Sequence, residues 1–185
     1  MLFRSAPRVL WYAPEKKWIM ALCFGHDSRQ NGGKPTTNPN YGFFSSRDLK
    51  QWERMSTLFL DNTCDCPEFF EIPLDGDKAR PKWVFWSGDA FYLVGTFDGK
   101  TFTPETGPHK LNLGNSFYAS QTFNNIPEKD GRRILMARVD GGGPGVGFWG
   151  GISLPGEITL RTTADGPRLF VNPVRELEAL RARDR

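Results

Sequence analysis

Cysteine and histidine are scarce in this chain: its 185 residues include three Cys and two His. An odd set, Cys23, Cys64 and Cys66, does not make a disulfide scaffold. Cys64 and Cys66 form a C-x-C, shorter than the usual C-x2-C zinc knuckle, and His26 and His109 lie far apart, so no metal site is expected. No apolar run reaches the ~18 residues of a membrane span, and the opening string MLFRSAPRVLWY has no apolar leader core. The chain enters what reads as a strand almost at once, which suggests that its true beginning is missing. Charge of one sign is lacking too. With 24 Lys and Arg against 21 Asp and Glu the net charge is +3, which argues against a nucleic-acid partner and against intrinsic disorder. Helical periodicity is confined to PVRELEALRARDR (173–185), where Val174, Leu177 and Leu180 fall at i, i+3 and i+6. That segment reads as a terminal linker helix.

Aromatic residues are plentiful, at 14% with 15 Phe and six Trp, alongside 20 Gly and 14 Pro. Bulky flat side chains between frequent turns point to β structure. Strands are expected over 8–12, 17–24, 41–46, 68–74, 82–87, 90–97, 116–123, 133–139 and 151–163, separated by turn clusters such as SRDLKQ, DGDKARP, FDGKT and TADGP. An internal repeat decides among all-β folds. YGFFSSRDLKQWER and FYLVGTFDGKTFTPE align at an offset of 50, placing Asp48 on Asp98, Lys50 on Lys100 and Trp52 on Phe102. A period of ~40–50 residues is that of a four-stranded propeller blade. The expectation is three to four blades, with Asp48 and Asp98 in equivalent turns of adjacent blades. Such a set is part of a ring, or closes the ring with another chain.

The string CDCPEFFEIP (64–73) is the most unusual. Asp65 stands between two Cys at the start of a strand, where a carboxylate can act as a general acid; the plainer reading is a turn Asp capping the strand. Pro67 is expected to hold Cys66 extended. Cys66, Trp86, Tyr118 and Trp149, with Phe148 beside the last, are candidates for sugar contacts, although most aromatics of a β fold are core. The Gly-rich run VDGGGPGVGFWGG (139–151) leads into a strand rather than a helix, so it reads as a loop or strand edge and not as a phosphate cradle. His26 and Asp27 read as an exposed turn.

Several strings in order along the chain resemble glycoside hydrolase family 32, the invertases, levanases and fructanases. They are SSRDLKQWE (45–53), CPEFFEIPLDGD (66–77), GTFDGKTFTPE (95–105), FYASQTFNNIP (117–127), DGRRILMA (130–137) and SLPGEITLRTTADGPRLFVNPVREL (153–177). The resemblance implies a five-bladed propeller, present here as a partial domain over 1–172. Residues 173–185 would form a linker toward a β-sandwich that is missing. It also implies retaining hydrolysis of β-fructosidic bonds in sucrose, levan or inulin, with no cofactor. The implied partner is a fructose-containing oligo- or polysaccharide, with no nucleic acid and no membrane. The family uses three carboxylates. The nucleophile motif W-M-N-D-P-N does not occur in this sequence. The R-D-P motif reads FRSAPRV, with Ser5 and Ala6 before Pro7, and the E-C-P motif reads D-C-P, with Asp65 in the acid/base position. Ser116, Arg138 and Gly156 replace the family's usual Asp, Trp and Arg. These departures lead to three expectations. The chain is a weakly active or inactive β-fructosidase fragment, or a non-catalytic carbohydrate-binding protein, or a half-enzyme completed by another chain or by self-association.

Overall fold

The computed structural model describes residues 7–25, 38–61, 63, 65–111, 117–141, 145, 147 and 150–181. Their strands form three consecutive antiparallel blades. The first is β1 (Arg8–Tyr12), β2 (Lys17–Cys23), β3 (Tyr41–Ser46) and β4 (Glu53–Leu58), each paired with the next. The second repeats this order with β5 (Glu68–Leu74), β6 (Asp77–Trp86), β7 (Phe91–Phe97) and β8 (Phe102–Lys110). In the third, β10 (Arg133–Val139) pairs with β9 (Phe117–Thr122) on one side and with β11 (Gly151–Ile152) and β12 (Gly156–Thr163) on the other, and β13 (Gly166–Pro173) lies outside β12. Up-and-down sheets laid side by side are the propeller plan expected from the repeat.

The repeat has a physical basis in two matching turns. Between the third and fourth strands of the first blade, Asp48 Oδ1 accepts the N–H groups of Lys50 and Gln51, both at 2.8 Å. At the same place in the second blade, Asp98 Oδ1 accepts those of Lys100 and Thr101, at 2.8 and 2.6 Å. These backbone donors hold both carboxyls below the usual range. Aspartate is used because its short side chain mimics a backbone turn.

The second blade is the middle layer, and its side chains alternate with a period of two. Phe69, Trp83, Phe85, Leu93, Phe97 and Phe102 pack on Ile19, Ala21, Tyr41 and Phe43 of the first blade. Phe70, Ile72, Val84, Trp86, Tyr92 and Val94 pack on Leu135, Ile158, Leu160 and Leu169 of the third. Among the described residues, strand pairing joins these two blades at one parallel pair, Leu74 with Leu160. Beside it, the Asp75 carboxylate accepts the N–H and O–H of Thr162, each at 2.7 Å. The opposite face of the first blade is apolar and partly open. Trp11, 48% exposed, meets Trp18 edge-on at 5.1 Å.

A buried polar knot ties the three innermost strands. Glu68, at the start of β5, is 0% exposed, and its Oε1 lies 2.6 Å from Arg8 Nε at the start of β1. Its Oε2 accepts the N–H and O–H of Thr122, at the end of β9, at 2.7 and 2.9 Å. Arg8 also donates to the Thr122 carbonyl and hydroxyl, and Arg133 donates to that hydroxyl. Burial pushes the Glu68 carboxyl up, and the Arg8 charge and Thr122 donors oppose this.

Three strands escape sequence reading. β4 (ERMSTL) and β8 (FTPETGPHK) are outer strands with little alternation, and β8 carries two Pro. β13 begins inside the TADGP turn cluster, where no strand is expected. The span 151–163 is two strands, β11 and β12, rather than one. The expected terminal helix is a 3-10 turn, Arg175–Leu180, in which Leu180 is 79% exposed. Too little apolar surface is buried there to offset helix nucleation. Instead Arg132 holds the turn, bonding Asp130 at 2.6 Å and Glu176 at 2.8 Å.

Two outcomes follow for stability. Glu68→Gln leaves Arg8 buried without its counter-charge and is expected to cost roughly 3–5 kcal/mol by urea unfolding. The double variant Arg8→Met, Glu68→Leu is expected to lose less. Arg132 holds both Asp130 and Glu176 near 2, against ordinary values of 3.8 and 4.5. The unfolded chain therefore takes up protons first as pH falls. This contribution is complete above about pH 5 and is lost toward pH 2. In melting curves against pH, Glu176→Gln should flatten that acid slope; an unchanged slope would refute the assignment.

Candidate active site

The site forms where the inner strands β5 and β9 begin, on the side of the Glu68 knot reached before Glu68 and Thr122. Residues 65–67 turn sharply into β5. Asp65 and Cys66 both have positive φ, 119° and 37°. The extended Cys66 expected from Pro67 is thus not observed. Local bonds override the bias: Gly88 donates its N–H to the Asp65 carbonyl at 2.9 Å, and the Cys66 N–H reaches Asp65 Oδ1 at 3.0 Å. Glycine at 88 eases this approach: a Cβ there would stand 3.3 Å from Cys66 Cβ, a tight contact that would press on the turn.

Across the mouth, the β9–β10 pairing slips between Met136 and Arg138, and Ala119 also has positive φ, 51°. The Ala119 N–H donates to the Gly88 carbonyl at 2.8 Å. A bulge of this kind re-aims a side chain. Here the Tyr118 hydroxyl donates to Asp65 Oδ2 at 2.8 Å. Burial and the Asp65 carboxylate push the Tyr118 phenol well above its ordinary value, and the charge of Asp89, on the turn after Gly88, adds to this. Gln121 Nε2 reaches the Cys66 carbonyl at 3.5 Å. Three non-glycine residues with positive φ thus meet around one carboxylate, and such strain persists only where the surroundings fix it.

The structure brings together three of the sequence candidates, Asp65, Cys66 and Tyr118. Trp86 is a correction. It is 0% exposed in the core, with its indole N–H on the Ser120 carbonyl at 3.2 Å, so its face is not available to a sugar. Trp149 lies outside the described residues, as do Ser5, Ala6, Cys64, Ser116 and Phe148. Sequence reasoning missed Gly88, Gln121 and the structural role of Glu68. The signal for Glu68 was present as a charged residue opening an apolar strand, matched by Arg8 opening another.

A carboxylate fixed by a phenol at the end of a propeller's inner strand can give or take a proton at a bound sugar. The backbone superposes on the exo-inulinase from Aspergillus awamori with a TM-score of 0.73 at 20% identity, covering 94% of this chain and 36% of that one, so the two share the propeller fold. In sequence, the levanase of Bacillus subtilis (strain 168) is 31% identical over 95% of this chain and 27% of its own length. Invertase 1 of Saccharomyces cerevisiae is 31% identical over 71% of this chain and 25% of its own. The chain therefore spans about a quarter of the length of these relatives. Residues 3–173 match the glycosyl hydrolases family 32 N-terminal domain, and with every described strand inside that match the chain belongs to glycosyl hydrolase family 32.

Proposed function

We propose that this chain recognises fructose-containing oligo- or polysaccharides at the Asp65–Tyr118 mouth. In this reading Asp65 is the shortened counterpart of a β-fructosidase acid/base and, in this chain alone, lacks a carboxylate nucleophile. The observation that carries the reading is the Tyr118 hydroxyl on Asp65 Oδ2, at the D-C-P string that opens β5. Supporting it, the relatives named above are a levanase and an invertase. Retaining hydrolysis needs two carboxyl groups ~5–5.5 Å apart, one attacking the anomeric carbon and one protonating the leaving oxygen. The sequence has no W-M-N-D-P motif, and Ser5 and Ala6 stand where the R-D-P motif has its Asp. Asp65 is also one methylene shorter than Glu, and a misplacement of ~1 Å costs ~100-fold in rate. Acid assistance alone supplies ~100–10,000-fold, far below the ~10^6-fold of a working enzyme.

A second reading is favoured by the partly open face of the first blade, where exposed Trp11 lies against half-buried Trp18. There the chain is one part of an enzyme whose remaining blades come from another polypeptide, or it associates with itself. Exposed apolar sheet faces of this kind mark interaction surfaces.

Two experiments test these readings. The purified chain is expected to release no fructose from sucrose, inulin or levan. It should bind a fructan in calorimetry, and Tyr118→Phe should weaken that binding ~10-fold or more by freeing the Asp65 carboxylate. Turnover by the unmodified chain that Asp65→Asn abolishes would overturn the non-catalytic reading, and absence of any fructan binding would overturn recognition. In size-exclusion chromatography the chain should elute above its monomer size, and Trp11→Lys should move it toward monomer. A monomeric wild-type chain with a sharp melting transition would remove the case for association.

A further inference from the structure

On the far side of the Glu68 knot from Asp65, β1, β5 and the segment after β9 enclose a cleft of about 420 Å³. Arg8 and Arg133 line it, and Tyr12 and Phe123 supply aromatic surface. The charges there do not balance. One buried carboxylate, Glu68, serves two guanidinium groups. Arg8 has a partner at each nitrogen, an ion pair with Glu68 at Nε and Thr122 at both Nη atoms. Arg133 does not. Its Nη1 donates to the Thr122 hydroxyl at 3.0 Å and its Cζ sits 4.3 Å from the centre of the Phe70 ring, whereas Nε and Nη2 have no acceptor among the described residues. Burial and the neighbouring Arg8 charge pull Arg133 down to about 10, as expected of a cation short of counter-charge. Of the other charges lining the cleft, Arg132 is occupied by Asp130 and Glu176, and Glu71 is exposed and acts on the Tyr12 phenol.

The Nε and Nη2 edge of a guanidinium matches two oxygens of a tetrahedral or planar oxyanion, with two parallel hydrogen bonds. We propose that this cleft binds a phosphate group, free or esterified to a sugar, on the Nε/Nη2 edge of Arg133. The site lies across the knot from Asp65 and is independent of fructan recognition at the mouth. The missing negative charge of the knot is then supplied by the ligand.

Calorimetry on the full chain at constant ionic strength tests this, with inorganic phosphate and fructose 6-phosphate as probes. A saturable Kd below about 1 mM is expected for at least one probe, with Arg133→Met weakening it at least 10-fold. Arg133→Lys, which keeps the charge and loses the two-point edge, should fall between. Tighter binding of the ester than of inorganic phosphate assigns the source as a phosphorylated sugar, with its ring on Tyr12 and Phe123; equal affinity assigns free phosphate. Tyr118→Phe should leave phosphate binding unchanged, so that failure at the mouth and failure at the cleft are separable. No saturable signal from the wild-type chain up to ~20 mM of either probe overturns the proposal. Equal affinity in Arg133→Met overturns it too. Should that variant not fold, unchanged affinity in Arg133→Lys does the same.

Discussion

One carboxylate sets the geometry of the interior. Glu68 is excluded from water and stands where the inner strands of three blades converge, so each of its oxygens must find a partner or the fold loses several kcal/mol. Arg8 comes from the first blade and Thr122 from the third, and the pair of them fixes the distance between β1, β5 and β9. Aromatic packing between blades tolerates sliding, because ring against ring has many near-equal arrangements. An ion pair of 2.6 Å flanked by bonds of 2.7 and 2.9 Å does not. The mouth at Asp65 and the cleft at Arg133 are the two ends of this one anchor.

At the mouth, the same fixing is achieved with backbone strain. Asp65, Cys66 and Ala119 all take left-handed or otherwise unusual conformations, and each is held by a bond across the strands. The stabilisation that tolerates these conformations comes from the packed second blade beneath them. The carboxylate is held at both oxygens, by the Cys66 N–H on Oδ1 and the Tyr118 hydroxyl on Oδ2.

Much of this was legible in the sequence. The offset of 50 located two turns that coincide in the structure, because an Asp side chain bonding its own backbone is a local event that needs no tertiary help. The near-continuous apolar runs of β5, β6 and β7 were legible because both faces of that blade are buried. The outer strands β4 and β8 were not, since an edge strand needs backbone pairing but little hydrophobic pattern. Cys66 shows where one local rule gives way to others: the bias imposed by Pro67 is weaker than the bond from its own neighbour, Asp65 Oδ1, together with the bond that Gly88 brings to the Asp65 carbonyl from the next turn. Trp86 shows the other limit. Nothing in composition distinguishes an indole stacked on a ligand from one buried against Phe70, since both want a flat apolar neighbour and one acceptor.

The junction at Leu74 and Leu160 has a consequence for how the chain assembles. Among the described residues it is the one strand pairing that links different blades; every other ladder joins strands within a blade, close in sequence. Short loops close quickly, so each blade can form its own ladders early, and docking of finished blades through side chains comes afterwards. A propeller put together in this way is modular. A blade's ladders do not wait on its neighbour, and the number of blades in a ring can change by duplication or loss without rewriting the hydrogen bonds of those that stay.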